Sequence, residues 1–265
     1  MKKYFLLLFL SLPFLSTQAQ NIKGPYLGIT TQFQNTWIIN DEQYEDVNYK
    51  HRFTTKWAPI GAVLGYKFNE NHNVQVELYK SNQGEKFDLI DQAGNKAGEK
   101  TIDLEYWNIP LLFKYTTTGT LRFNFQVGPQ LGVLQKGEEE NRFSRTASYQ
   151  VKDRSFTIGQ GTHLMASTED SDRERDARVG EFNEYDLGIL LGTGVEYSLN
   201  TNLILTANLR YSYNFVNIRK EEHIEDYARD PDYYTLRQNM VAGIQVGVNY
   251  LFNTGDGRTK ARHQE

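Results

Sequence analysis

Leu121-Arg122-Phe123-Asn124-Phe125-Gln126-Val127 alternates between apolar and polar side chains, and the alternation continues with glycines on the polar face to Leu134. A period of two residues is typical of a β-strand with one face in apolar surroundings. The stretch has about the length that a tilted strand needs to cross a bilayer. It therefore predicts a membrane-spanning β-strand.

Seven further segments of similar length show the same period. After residue 19 no apolar stretch is long enough for a transmembrane helix, and a membrane-embedded chain must then be a closed barrel, because lipid tolerates no open sheet edge. We predict an all-β, eight-stranded antiparallel up-and-down transmembrane barrel. Its strands run over Gly24 to Phe33, Ala58 to Phe68, Asn73 to Gln83, Leu104 to Tyr115, Leu121 to Leu134, Asn183 to Tyr197, Leu203 to Phe215, and Asn239 to Phe252.

The connections between these segments alternate in length, as in outer-membrane barrels with periplasmic turns and extracellular loops. Three are tight, namely Asn69 to His72, Thr116 to Thr120, and Ser198 to Asn202. Four are long, namely Gln34 to Trp57, Gly84 to Asp103, Gln135 to Phe182, and Val216 to Gln238. A soluble barrel with its apolar face turned inward around a ligand is the alternative that alternation alone leaves open.

Aromatic residues gather at the strand ends on the apolar face. Beside the short turns they predict a periplasmic girdle of Tyr66, Phe68, Phe113, Tyr115, Tyr197, Tyr250 and Phe252. At the opposite ends they predict an outer girdle of Phe33, Trp107, Tyr185, Tyr211 and Tyr213.

The other strand face carries charges, which predicts a narrow lumen in which acids and bases neutralise each other. We expect four acids and four bases there: Lys67, Glu77, Lys114, Arg122, Glu184, Asp186, Glu196 and Arg210. Side chains just fill an eight-stranded barrel, so the lumen should be plugged. The tight turn after Lys67 suggests that Lys67 faces about Gln75, with Glu77 as a close neighbour.

The N-terminus predicts export. Lys2 and Lys3 precede an apolar run and the small residues Ser16 to Ala19, which is the pattern of a signal peptide over residues 1–19. Residues 20–252 form the expected barrel, and residues 253–265 a polar tail. Without Lys2 and Lys3 the net charge changes from −4 to −6, and this negative charge does not favour binding to nucleic acid. The sequence contains no cysteine.

The strands resemble the PorT-like outer-membrane β-barrel proteins of the Bacteroidetes. The resemblance rests on Tyr106-Trp107-Asn108-Ile109-Pro110-Leu111-Leu112-Phe113-Lys114-Tyr115, Gly128-Pro129-Gln130-Leu131-Gly132, Tyr185-Asp186-Leu187-Gly188 with Gly192-Thr193-Gly194, and Arg210-Tyr211-Ser212 followed by Asn217-Ile218. It implies a Gram-negative outer-membrane location and, for the namesake, a part in protein secretion. It transfers no catalytic motif.

No catalytic, cofactor or metal site is expected, since the five histidines lack metal-ligand spacing. An outer-membrane enzyme, a protease or lipid hydrolase, remains an alternative, because His223 lies near Glu222, Glu225 and Asp226.

In the third long loop, Thr146 to Val151 and Ser155 to Ile158 predict a hairpin. If both arms crossed the membrane, the barrel would have ten strands, which is the alternative to eight. We expect a non-enzymatic surface scaffold or binding protein whose partners are outer-membrane lipid and a protein at the extracellular loops.

Overall fold

The structure, a computed structural model, describes residues 23–40, 48–52, 54–151, 154–168, 182–220 and 236–252. Within these residues no helix is long and apolar enough to cross a membrane. The expected signal peptide, the polar tail and the His223 region lie outside the described residues. The strands are β1 (Gly24–Ile39), β2 (Tyr49–Arg52), β3 (Thr55–Lys67), β4 (His72–Ile90), β5 (Lys96–Thr116), β6 (Leu121–Phe143), β7 (Ala147–Val151), β8 (Arg154–Ile158), β9 (Gly161–Ser167), β10 (Tyr185–Ser198), β11 (Leu203–Asn214) and β12 (Gln238–Leu251).

Eight strands form a closed antiparallel ring in the order β1-β3-β4-β5-β6-β10-β11-β12. The ring closes where β12 pairs with β1, from Tyr26 opposite Leu251 to Ile39 opposite Gln238. Every ring strand therefore has a partner on both sides. This confirms the predicted eight-stranded barrel, and each of the eight predicted segments overlaps a ring strand.

The two faces of the wall have the polarity of a membrane barrel. On β6, Phe123 is 63% exposed whereas Arg122 is 3% exposed, and the contrast is repeated along the ring. Apolar side chains thus cover the outside and polar side chains fill the inside. The alternative of a soluble barrel with an apolar interior is wrong, because it requires the opposite arrangement.

The ladder between β3 and β4 is interrupted in the outer half of the wall. β3 pairs with β4 only from Gly61 to Lys67, and farther out β2 takes its place, opposite Lys86 to Leu89. Between these sections, side chains bond to the β4 carbonyls: Gln34 Nε2 donates to Asn82 O (3.0 Å), Lys56 Nζ to Gln83 O (3.0 Å) and Thr36 Oγ1 to Gly84 O (2.5 Å). Pro59, which lacks an N–H, lies in this section of β3.

Three of the ring strands continue beyond the membrane section, which corrects part of the predicted loop pattern. Gly84 to Asp103 was expected to be a loop, but β4 runs to Ile90 and β5 starts at Lys96. On β4 the polarity inverts while the period persists: Gln75 and Glu77 point inward below, and Phe87 and Leu89 point inward above. Without an apolar outer face, the extension lacks the lipid-facing signature that reveals a membrane strand.

These extensions build an ordered extracellular sheet, to which β2 and β9 add by pairing with β4 and β6. We call β2, β9 and the outer parts of β4, β5 and β6 the extracellular sheet. Two apolar clusters pack here, one around Ile102, Leu104 and Phe182, the other around Leu89 and Phe143. The β7–β8 hairpin forms as predicted but as a separate two-stranded sheet, so the ten-stranded barrel is wrong.

Candidate functional site

Seven of the eight charged residues predicted for the lumen are buried inside the ring: Lys67, Glu77, Lys114, Arg122, Asp186, Glu196 and Arg210. Glu184 was expected with them, but its side chain is exposed. The residue lies in a bend before β10 begins at Tyr185, where the strand alternation does not yet hold. The described charges of this set are therefore four basic and three acidic, a net +1 rather than zero.

At the periplasmic end of the lumen, three cations converge on the Glu196 carboxylate. Lys114 Nζ lies 2.6 Å from Glu196 Oε1, and Lys67 Nζ lies 3.2 Å from Oε2. Arg122 Nη2 lies 3.4 Å from Oε2. Because β3 and β10 are four places apart in a ring of eight, the Lys67–Glu196 pair spans the lumen. We call these four residues the periplasmic cluster.

In the middle of the lumen, Arg210 on β11 forms a bidentate pair with Glu77 on β4, also across the ring. Both hydrogen bonds from the guanidinium measure 2.6 Å. Gln245 Nε2 donates to Glu77 at 3.0 Å and Gln75 Nε2 at 2.5 Å, which saturates the carboxylate. The expected Lys67–Glu77 contact is wrong, because the ladder sets Lys67 opposite Asn73 and Glu77 opposite Val63.

Toward the outer end, Asp186 has amide partners. Its Oδ2 accepts hydrogen bonds from Asn214 Nδ2 and Asn239 Nδ2, both at 2.7 Å. Among the described residues no ion pair to Asp186 is formed. The lumen is thus graded along its axis, with an acidic outer level, a neutral middle level and a basic periplasmic level.

A further ionic cluster, which we call the outer cluster, lies in the extracellular sheet. Lys100 Nζ is 3.0 Å and Arg237 Nη1 3.2 Å from Glu139, and Arg219 donates a hydrogen bond to the same carboxylate. Burial alone would raise the pKa of Glu139, but the three cations hold it well below its usual range. Burial lowers the pKa of Lys100 to about 8, and Glu139 opposes that shift. The carboxylate is therefore ionised at neutral pH.

Sequence reasoning missed the outer cluster. Glu138-Glu139-Glu140 resembles a solvated charge run, yet these residues belong to β6, and Glu139 is the member that points inward. The signal that could have found it is the alternation from Gly137 to Phe143, in which Glu139 shares the parity of Phe143. The inward residues change parity at Gln135, where the ladder with β5 shifts its register.

The aromatic residues predicted for the periplasmic girdle lie at the strand ends beside the short turns. Six of the seven are exposed on the outer wall, and Tyr197 is half-buried. Neighbouring rings touch: Tyr66 and Phe68 at 5.4 Å between centroids, Tyr250 and Phe252 at 5.0 Å. At the outer end Phe33 stacks on Trp57 at 6.1 Å.

The described residues contain no group of three or more histidine, cysteine or acidic side chains that could hold a metal ion. His51 Nδ1 lies 2.5 Å from Glu85 Oε1, and the ring of His72, the first residue of β4, lies 3.2 Å from Asn69 Oδ1. The charged stretch around His223, on which the enzyme alternative depends, lies outside the described residues.

Solved outer-membrane barrels resemble this chain over most of its length. Neisserial surface protein A is 12% identical over 89% of this chain and all of that chain, with a TM-score of 0.41. OprG from Pseudomonas aeruginosa is 14% identical over 88% and 98%, with a TM-score of 0.42. The Escherichia coli outer membrane protease OmpT is 9% identical over 90% and 99%, with a TM-score of 0.38. At these levels the likenesses carry no argument about activity.

A search of curated protein sequences finds no match. The family model described as "Outer membrane protein beta-barrel domain", in contrast, matches residues 18–220, which is well over half of the chain. That match agrees with the closed ring, the apolar outer wall and the polar lumen. The chain therefore belongs to the outer membrane protein beta-barrel domain family and lies in the outer membrane of a Gram-negative bacterium.

Proposed function

We propose that this protein is a non-enzymatic surface protein whose barrel anchors the extracellular sheet, and that this sheet binds a protein partner. The observation that carries the proposal is the continuation of β4, β5 and β6 into a sheet with apolar clusters of its own. Rigid scaffolds that hold surface segments in place commonly serve recognition. The aromatic residues at both rims serve as girdles that fix the depth of the barrel in lipid.

The filled lumen argues against a pore. Charged side chains on opposite strands meet across the axis, as Lys67 does with Glu196 and Arg210 with Glu77. Above them the apolar cluster around Ile102 and Leu104 fills the outer end.

We expect no steady conductance when the purified protein is inserted into planar bilayers, because an eight-stranded barrel has room for little beyond its own side chains. A porin reconstituted in the same bilayers provides the control for insertion and detection. Stable single-channel steps of porin size would contradict the filled lumen.

Site-specific photocrosslinking in native outer membrane tests partner binding. A photoreactive residue at Arg142, which is exposed on the extracellular sheet, should yield a protein adduct of discrete mass. The matched position is Asn69, which is exposed in a periplasmic turn and should yield none. Absence of an adduct at Arg142 and at neighbouring exposed positions of the sheet would overturn the proposal.

A part in protein secretion is the second candidate, and the resemblance to the PorT-like group favours it. A secretion component would contact periplasmic partners, so the same experiment separates the two candidates. An adduct at Asn69 alone would favour secretion over surface binding. The enzyme alternative, with a site at the barrel mouth, is tested by assaying the purified protein for hydrolysis of peptides and lipids.

A further inference from the structure

The periplasmic cluster contains more positive than negative charge. Lys67, Lys114 and Arg122 carry three positive charges against the single negative charge of Glu196, which leaves an excess of two. All four side chains are almost fully buried. We propose that this cluster binds a small inorganic anion of the halide class, taken up from the periplasm.

No other described carboxylate of the lumen lies next to this cluster. Glu85, eight residues beyond Glu77 on β4, contacts His51 toward the outer end. Glu77 is fully engaged by Arg210 and two glutamines. Asp186 lies ten residues before Glu196 on the same strand, which is roughly 33 Å along the chain at 3.3 Å per residue. The compensating negative charge must therefore come from outside the described side chains.

Arg122 supplies the second observation. Its Nε and Nη2 atoms are buried and have no hydrogen-bond partner among the described residues, although Nη2 is within ion-pair distance of Glu196. An arginine cannot relieve the excess by losing its proton, so its unused donors call for an acceptor. Removing an anionic partner from such a buried cation is costly, which favours occupancy by an anion.

The position of the periplasmic cluster and the side chains packed at the same end of the barrel indicate which kind of anion it binds. Arg122 is the second residue of β6 and Glu196 lies two residues before the end of β10, so the cluster is next to the short turns. Tyr26, Ile204 and Leu251 pack together at this end of the barrel. Such packing favours a monatomic ion such as chloride over a polyatomic oxyanion.

Urea unfolding of the full chain, folded in detergent micelles, tests the proposal. Sodium chloride is exchanged for sodium gluconate at constant ionic strength, so that screening stays the same. If the chloride Kd is about 10 mM, 100 mM chloride should increase the folding equilibrium constant about tenfold. Arg122→Gln should abolish the chloride dependence, and Lys80→Gln, on the exposed outer wall, should retain it.

A second measurement covers the case in which Arg122→Gln does not fold. Crystals of the unaltered protein soaked in bromide should show an anomalous peak next to the Arg122 guanidinium. Equal stability in chloride and gluconate, together with no such peak, would overturn the proposal. A ¹⁵N shift of a neutral amine at Lys67 Nζ would overturn it too, because a deprotonated lysine would then remove part of the excess.

Discussion

Glu196→Gln should destabilise the barrel more than any other single substitution in the lumen. The change keeps the shape of the side chain but removes the one carboxylate, among the residues that the structure describes, that pairs with Lys67, Lys114 and Arg122. Loss of one partner of a buried ion pair costs about 3–5 kcal/mol, and here three buried cations lose their partner together. We expect a loss of at least this size, measured from the urea unfolding midpoint and from the fraction that migrates as folded protein on unheated gels.

Glu105→Gln is the matched control for this experiment. Glu105 also pairs with a lysine, Lys80, at 2.6 Å, but the pair lies on the outer wall and both side chains are over a third exposed. Exposed pairs contribute about 0–1 kcal/mol. If Glu196→Gln and Glu105→Gln destabilise the protein equally, the periplasmic cluster does not hold the barrel together as the geometry indicates.

The membrane section of the fold could be predicted from the sequence because lipid imposes a clear rule on it. Outside the wall, side chains such as Phe123 and Phe125 must be apolar, and inside it Arg122 and Asn124 must be polar. With an exact period of two, this rule assigns each strand residue to a face. The lumen positions of seven of the eight charged residues follow from the same rule.

The extracellular sheet could not be predicted in the same way. Above Gly84 the outer face of β4 meets water rather than lipid, so Lys86 and Asp88 point outward while Phe87 and Leu89 point inward. A search of the sequence for strands with an apolar outer face therefore detects only the part of each strand that contacts lipid. Long connections in a barrel sequence should therefore be searched again for strands whose inward face is apolar and whose outward face is polar.

The contacts of the charged lumen residues could not be predicted from the sequence for a different reason. Contacts between adjacent strands follow from the turn and its register, and an error of two residues at the β3–β4 turn was enough to mispair Lys67 with Glu77. Contacts across the lumen depend on how far the strands are staggered when the ring closes. That stagger depends on the registers of all eight strands together, so it cannot be deduced from the sequence of any single strand.

The Glu77–Arg210 pair should show the strongest pairwise coupling in the barrel. Glu77→Met leaves a buried guanidinium without a carboxylate, and Arg210→Met leaves a buried carboxylate without its cation, so each should cost about 3–5 kcal/mol. The double variant removes both charges and should recover a large part of that loss. Recovery stays incomplete because Gln245 and Gln75 lose their acceptor, at about 1–3 kcal/mol each.

A double-mutant cycle in urea measures this coupling, and Lys67 with Glu77 provides the matched negative cycle. Those two residues lie on adjacent strands, but the register separates them by four positions, or roughly 13 Å along the strand. Residues this far apart without shared partners are additive within about 0.5 kcal/mol. We therefore expect coupling of at least about 2 kcal/mol for Glu77 with Arg210 and near additivity for Glu77 with Lys67. The reverse result would mean that the pairing follows the adjacent strands and that the stagger of the ring is wrong, because only the observed stagger places β11 opposite β4 at the level of Glu77.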